Sequence, residues 1–283
     1  MIRVGILGSA GYTGGELIRL LLNHPDAEIV FANSGSNACN PVSSVHEGLL
    51  GDTDLRFCDA TPFDDVDVVF FCFGHGKSAE YLGSHDIPSR VKIIDLAQDF
   101  RLKNVVHDFV YGLPELHKFE IARCRHLANP GCFATCIQLG LLPLASRCLL
   151  THDVSINAIT GSTGAGQKPV ASTHFSWRNN NMSIYKVFTH QHLHEIGSAV
   201  ERTIRGAGFA PIVNLCGHQI ARNQLHAGFS VPNYDNGDDT KIQSGMTVAI
   251  EPFATNGKGQ IKNGKPGNIV RIIKHGRKHM FSR

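Results

Sequence analysis

The first 22 residues constrain the fold more than any other stretch of the chain. They read as a short apolar run, Arg3-Val-Gly-Ile-Leu7, then the glycine-rich Gly8-Ser-Ala-Gly11-Tyr-Thr-Gly14, then Glu16-Leu-Ile-Arg-Leu-Leu-Leu22. An apolar run, closely spaced glycines and an apolar helical face predict a strand, a tight loop and a helix. Such a loop lets backbone approach a pyrophosphate, and the helix N-terminus adds N–H donors and a favourable dipole. The plain alternative is a structural turn. On the binding reading, Gly8, Gly11 and Gly14 touch the phosphates, with Tyr12 and Thr13 between them.

The same alternation continues. Ala27-Glu-Ile-Val-Phe-Ala32, Val66-Asp-Val-Val-Phe-Phe-Cys-Phe73 and Val91-Lys-Ile-Ile-Asp95 are apolar enough for strands covered on both faces. Together they predict an α/β, Rossmann-like, doubly wound parallel sheet. The second strand ends in Asn33-Ser34-Gly35-Ser36, with no carboxylate for a ribose 2′-hydroxyl. That favours NADP, with Ser34 and Ser36 as candidate contacts, although no arginine follows directly to grip a 2′-phosphate. Gly74-His75-Gly76-Lys77-Ser78 follows the third strand, either as an exposed turn or, through Gly74, as a contact to the nicotinamide half of the cofactor.

With 283 residues the chain is long enough for two domains. No apolar run is long enough to span a bilayer, and Met1 leads directly into the first strand without a signal peptide, so the expected location is the cytoplasm. Eight cysteines without paired C-x-x-C spacing read as reduced thiols. After Glu251 the chain has no acidic residue but eight Lys/Arg. That basic end lacks interleaved aromatics, so no nucleic-acid partner is expected, and no membrane partner either.

Cys132 stands apart from the other thiols. In Asn129-Pro-Gly-Cys-Phe-Ala-Thr-Cys136 it follows a Pro-Gly turn and opens an apolar helical stretch, where N–H groups converge. Thr189-His-Gln-His-Leu-His-Glu195 offers histidines that could serve it in acid–base work; a metal site is the rival explanation, but no ligand pair flanks the cluster at suitable spacing. Gly161-Ser-Thr-Gly-Ala-Gly166 reads as a second anion cradle, on the substrate side. Farther on, 154–159, 212–215 and 246–250 read as strands, and 197–208 as a helix stopped by glycine.

Taken in order, Gly11-Tyr-Thr-Gly-Gly-Glu-Leu17, Asp95-Leu-Ala-Gln-Asp-Phe-Arg101, Tyr111-Gly-Leu-Pro-Glu-Leu116, Asn129-Pro-Gly-Cys-Phe-Ala-Thr135, Gly161-Ser-Thr-Gly-Ala-Gly166 and His190-Gln-His-Leu-His-Glu195 resemble the N-acetyl-gamma-glutamyl-phosphate reductases. The resemblance runs from residue 1 to about 196. It implies NADPH-dependent reduction of a small acyl phosphate to a semialdehyde, in arginine biosynthesis, and a homo-oligomer if the reductase fold is completed. It makes Cys132 the nucleophile and His190 the acid/base, with Glu195 orienting the histidine and Tyr185 nearby. Arg101, Ser162, Gly164 and Gly166 are the implied substrate contacts. Gln191 departs from the family's usual His-Arg-His, which puts a substrate-binding charge there in doubt.

Beyond residue 196, Asn214-Leu-Cys-Gly-His-Gln-Ile220, Leu225-His-Ala-Gly228 and Ala249-Ile-Glu-Pro-Phe253 resemble the type 2 methionine aminopeptidases. That resemblance makes His218 and Glu251 metal ligands and His226 a substrate contact. The aspartates and final glutamate of a two-metal site are missing, so no metal is expected and the ligands are orphans. The expected organisation is a dinucleotide-binding domain at 1–130, an incomplete catalytic and substrate domain at 131–196, and an aminopeptidase-like fragment at 197–283. The alternatives to a working reductase are a fusion chain that binds NADP without catalysis and a remnant of a metal-dependent methionine aminopeptidase.

Overall fold

A computed structural model describes residues 1–147 except 104 and 105, and 156–211 less 157, 169, 184, 187–189, 207 and 209. Beyond these it describes 216–221, 224–232, 247–249, 254–255 and positions 149, 208, 258 and 260, almost wholly as backbone past 211.

The chain starts in the middle of its main sheet. Strand β1 (Ile2–Leu7) is followed by helix α1 (Tyr12–Leu22), then β2 (Ala27–Asn33) and β3 (Phe57–Cys58) step outward on one side. The chain then returns to lay β4 (Val68–Phe71) on the other side of β1, continuing through helix α2 (Lys77–Ser84) to β5 (Lys92–Asp95). Next come β6 (Val110–Tyr111), helix α3 (Pro114–Arg123) and β7 (His126–Ala128). The seven strands lie in the order β3-β2-β1-β4-β5-β7-β6. Every pairing is parallel. This is the doubly wound Rossmann-like sheet expected from the alternating pattern. Strand order reverses between β1 and β4, and ligands of such sheets bind at the carboxyl ends there.

Two apolar layers hold the sheet, one on each face. Val4, Ile6, Ile18, Val42 and Phe57 pack on one side, and Leu7, Phe31, Val69, Phe71 and Ile93 on the other. Phe71 is fully buried, with its ring edge-on to Phe73 at 5.5 Å and to Tyr81 of α2 at 5.6 Å. These contacts tie α2, and the turn before it, to the end of β4.

Helix α4 (Cys132–Ala145) follows β7. After a short helix α5 (Phe175–Arg178), helix α6 (His192–Gly206) packs against α4. The sequence pattern places this helix at 197–208. In the structure it starts earlier because its buried positions include polar residues, His192 and Glu195 as well as Ala199. Their spacing follows one helical face, but a hydropathy pattern passes over them. The helix also runs unbroken across the boundary expected at 196.

Farther along are β8 (Ala210–Pro211), β9 (Cys216–Ala221), β10 (Gln224–Pro232), β11 (Thr247–Ala249) and β12 (Ala254–Thr255). They form an antiparallel set, β10-β9-β11, and a separate β12-β8 pair. β11 lies within the strand expected at 246–250. The strand expected at 212–215, positions 154, 155 and 157 of that at 154–159, and Glu251 lie outside the described residues, as do the side chains of His218 and His226; positions 156, 158 and 159 are described and are not in a strand. No helix among the described residues is long and apolar enough to cross a membrane.

Phe71→Ala should lower unfolding free energy by about 3–5 kcal/mol, the cost of emptying a large core site. Urea denaturation followed by tyrosine and tryptophan fluorescence measures it; a loss under about 1 kcal/mol would contradict the packing described.

Candidate active site

The glycine loop sits at the switch point. Gly8 has φ of +71°, and a Cβ there would lie 2.8 Å from the carbonyl oxygen of Cys72 at the end of β4, so only glycine fits. No side chain caps α1, whose N-cap is Gly11, so first-turn N–H groups at Tyr12, Thr13 and Gly14 are left for a ligand phosphate. His46 braces the loop from below, its Nε2 2.8 Å from the carbonyl of Ser9. Ser34 is buried and Ser36 exposed at the end of β2, and the Asn37 amide donates to both hydroxyls. The sequence showed no arginine directly after β2. Arg56, just before β3, donates from Nη1 to the carbonyl of Cys39 at 2.9 Å and bridges to Pro41. The glycine loop and the uncapped helix start suit the phosphates of a dinucleotide.

The turn after β4 is held by two aspartates. Asp99 accepts from the N–H groups of Gly76 at 2.6 Å and Ala79 at 3.1 Å, capping α2. Asp95 is fully buried at the end of β5 and accepts from the Ser78 hydroxyl at 2.5 Å. Burial pushes its carboxyl pKa up. Gly74 is exposed on this turn.

Cys132 is the first residue of α4 and is exposed, while Gly131 before it is buried. The N–H of Gly131 donates to Glu195 Oε2 at 2.9 Å. Glu195 Oε1 lies 3.0 Å from Arg101 Nη1, and the Tyr111 hydroxyl stands 3.0 Å from Oε2. Gln138 of α4 donates to the backbone carbonyl of Glu195 at 3.0 Å. Arg101 also donates from Nε to the carbonyl of Asn129 and from Nη2 to that of Leu96. Four elements thus meet on one buried ion pair, and the pair fixes the turn that presents Cys132.

This geometry differs from two expectations. Glu195 was expected to orient His190; instead its carboxylate receives Arg101, Tyr111 and Gly131. The reason is spacing: on α6 the side chain of residue 195 points inward, while His190 precedes the helix. Arg101 was expected to contact substrate, but its side chain is only 6% exposed and its fork is turned to Glu195 and two carbonyls.

The histidines gather beside Cys132. His190 packs edge-on against Phe133 at 5.5 Å and against Tyr185 at 5.7 Å, with His192 at 4.5 Å. The backbone N–H of His192 donates to His190 Nδ1 at 3.3 Å, leaving Nε2 for a substrate atom. Burial, then the Lys186 ammonium, lowers the His190 pKa. His192 is buried under Gly131, where a Cβ would lie 2.1 Å from its Nε2, so Gly131 has no room for a side chain. Burial drives the His192 pKa down to about 4, against the opposing pull of Glu195. Tyr185 is half-exposed, and the nearby Cys132 thiol helps raise its pKa after burial.

Ser162, Gly164 and Gly166 lie on an exposed turn. Just after it, the Gln167 amide donates to the carbonyl of Ala10 at 2.8 Å. The turn expected on the substrate side therefore also borders the nucleotide loop. Among the described residues no group of three or more His, Cys, Asp or Glu is placed to hold a metal ion.

Residues 3–124 match the NAD-binding domain of semialdehyde dehydrogenases, and 132–220 match their dimerisation domain. The fold and its cysteine helix thus define a semialdehyde dehydrogenase-type chain. N-acetyl-gamma-glutamyl-phosphate reductase of Bacteroides thetaiotaomicron is 62% identical over 202 residues, covering 71% of this chain and 63% of that one. The Azobacteroides pseudotrichonymphae reductase is 53% identical over 212 residues, covering 75% of this chain and 67% of its own length. The chain belongs to the N-acetyl-gamma-glutamyl-phosphate reductase family. It spans 63% of the length of the Bacteroides thetaiotaomicron and Phocaeicola vulgatus relatives. Among solved structures, aspartate semialdehyde dehydrogenase II from Vibrio cholerae aligns with TM-score 0.43 and 21% identity, over 59% of this chain and 48% of that one.

The depressed His192 pKa makes stability depend on pH. Unfolded His192 binds a proton near its ordinary 6.5 and the folded residue only near 4, so its contribution is whole above 6.5 and lost as pH falls toward 4. The urea midpoint of the unsubstituted protein should fall across this window more steeply than that of His192→Gln. Parallel curves for the two proteins would refute the buried neutral imidazole.

Proposed function

We propose that this chain is a reductase that takes a small acyl phosphate, N-acetyl-glutamyl 5-phosphate, to its semialdehyde through a thioester on Cys132. The observation that carries the reading is an exposed thiol at the first turn of α4, on a turn pinned by Glu195, with His190 edge-on against Phe133, the next residue of that helix. Membership of the reductase family supports the choice of substrate.

The thiolate of Cys132 attacks the acyl carbon, forming a C–S bond as the carbon–oxygen bond to phosphate breaks and phosphate leaves with the electron pair. N–H groups at the start of α4 face the developing oxyanion. When bound, NADPH supplies the hydride that reduces the thioester. His190, through Nε2, gives a proton to the thiohemiacetal oxygen; as it takes that proton back the C=O re-forms and the C–S bond breaks, releasing the semialdehyde and the Cys132 thiolate. Tyr185 positions the imidazole by packing on it. Arg101 and Glu195 act as positioning residues behind Cys132. Gly8, Gly11 and Gly14, with Tyr12 and Thr13 at the helix start, would hold the pyrophosphate of the dinucleotide, Ser34 and Ser36 its 2′-phosphate and Gly74 its nicotinamide half. Ser162, Gly164 and Gly166 close the site from the other side. The dimerisation-domain match supports a homo-oligomer with small-molecule substrates.

Cys132→Ser should reduce phosphate-dependent semialdehyde oxidation to below about 1% while cofactor affinity is kept, because serine is a far weaker nucleophile at neutral pH. Substantial residual turnover would remove the thioester from the reaction.

Direct titration should show NADP binding at least about tenfold tighter than NAD, with Arg56→Ala narrowing that ratio. Tighter binding of NAD would overturn the cofactor assignment.

A further inference from the structure

Lys186 has no part in the chemistry above, yet it stands at the mouth of the site. Its neighbour Tyr185 packs on His190. Its ammonium donates to Gln191 Oε1 at 3.0 Å, and Gln191 lies between His190 and His192. Its backbone sits at φ 45°, in the left-handed region. That conformation is uncommon for a residue with a Cβ and concentrates at functional sites. The side chain is exposed, and among the described residues no carboxylate lies within ion-pair distance of it. The partner holding it is a neutral amide, which positions the ammonium without cancelling its charge. After burial, the Lys186 ammonium helps lower the pKa values of both His190 and His75.

We infer that Lys186, docked on Gln191, is the cation that binds the phosphate of the substrate and steadies it as it leaves the acyl carbon that Cys132 attacks. Gln191 accordingly serves as the rest for a charge carried five residues earlier. An ammonium is a compact point charge with three donors, suited to an oxyanion that must bind and then depart. The inference rests on the reductase reading for its substrate, but the charge beside Cys132 can be measured without turnover.

The test compares alkylation of Cys132 by iodoacetate, an anion, with alkylation by iodoacetamide, its neutral analogue, using peptide mass spectrometry to follow that thiol. In the unsubstituted protein the iodoacetate-to-iodoacetamide rate ratio should exceed that of Lys186→Gln by about threefold, the effect of one unit charge at roughly 6 Å in water. Lys186→Arg should restore the ratio. Inorganic phosphate should slow iodoacetate labelling of the unsubstituted protein more than N-acetylglutamate does, and this difference should vanish in Lys186→Gln. In semialdehyde oxidation, Lys186→Gln should raise KM for phosphate about tenfold with little change in kcat. An unchanged labelling ratio in Lys186→Gln overturns the inference, as does protection by N-acetylglutamate alone. If the unsubstituted protein shows no semialdehyde oxidation, the reductase reading fails, and the labelling ratio still decides whether Lys186 acts on anions at Cys132.

Discussion

The buried pair of Arg101 and Glu195 is the interaction on which the site depends. Its side chains are 6% and 3% exposed, and each charge is surrounded by further partners. A buried ion pair is stabilising only when geometry is good and the remaining polar atoms are satisfied. Here the carboxylate also meets the Tyr111 hydroxyl and the Gly131 N–H, while the guanidinium meets two carbonyls. Losing one member would strand the other charge in the interior, at a cost of about 3–5 kcal/mol. The pair links the segment after β5, the edge strand β6, the turn before α4 and the start of α6.

That linkage explains how a reactive thiol can be exposed and still well placed. The Cys132 thiol has no hydrogen-bond partner among the described residues; its position is inherited from Gly131, whose N–H is held by Glu195 and which is crowded by His192. Asp95 reinforces the arrangement from the sheet. Its carbonyl accepts from the Asn129 N–H at 2.8 Å, and its side chain holds Ser78, so the turn after β4 and the cysteine turn are anchored to one strand end. Nucleotide loop and nucleophile are therefore set against a common rigid sheet. A displacement of about 1 Å between such groups can cost on the order of a hundredfold in rate.

The histidines divide into different tasks through burial. His192 is enclosed and held neutral beneath the cysteine turn, where it fills space against Gly131 and Arg101. His190 is only partly enclosed, between two aromatic rings, with one nitrogen bonded to backbone and the other left toward the substrate. His194 is exposed. Three histidines of similar sequence context are separated by where the start of α6 turns each of them.

Much of this was legible in the sequence. Apolar runs gave β1, β2, β4 and β5, and the glycine loop had to follow β1, because strand period and glycine spacing are local properties. Cys132 could be singled out by its Pro-Gly turn. Tertiary structure alone decided the rest. Strands β3, β6 and β7 are two or three residues long, too short for any periodicity to reveal, and exist because neighbouring strands offer hydrogen bonds. In one dimension Glu195 reads as the partner of His190 and Arg101 as a substrate contact; they are buried because each finds the other 94 positions away. Arg56 and Lys186 carry charge whose direction no local pattern specifies. The sequence determines which groups have the chemistry, since that is a property of each side chain. Which of them meet depends on long-range packing, which only the folded chain supplies.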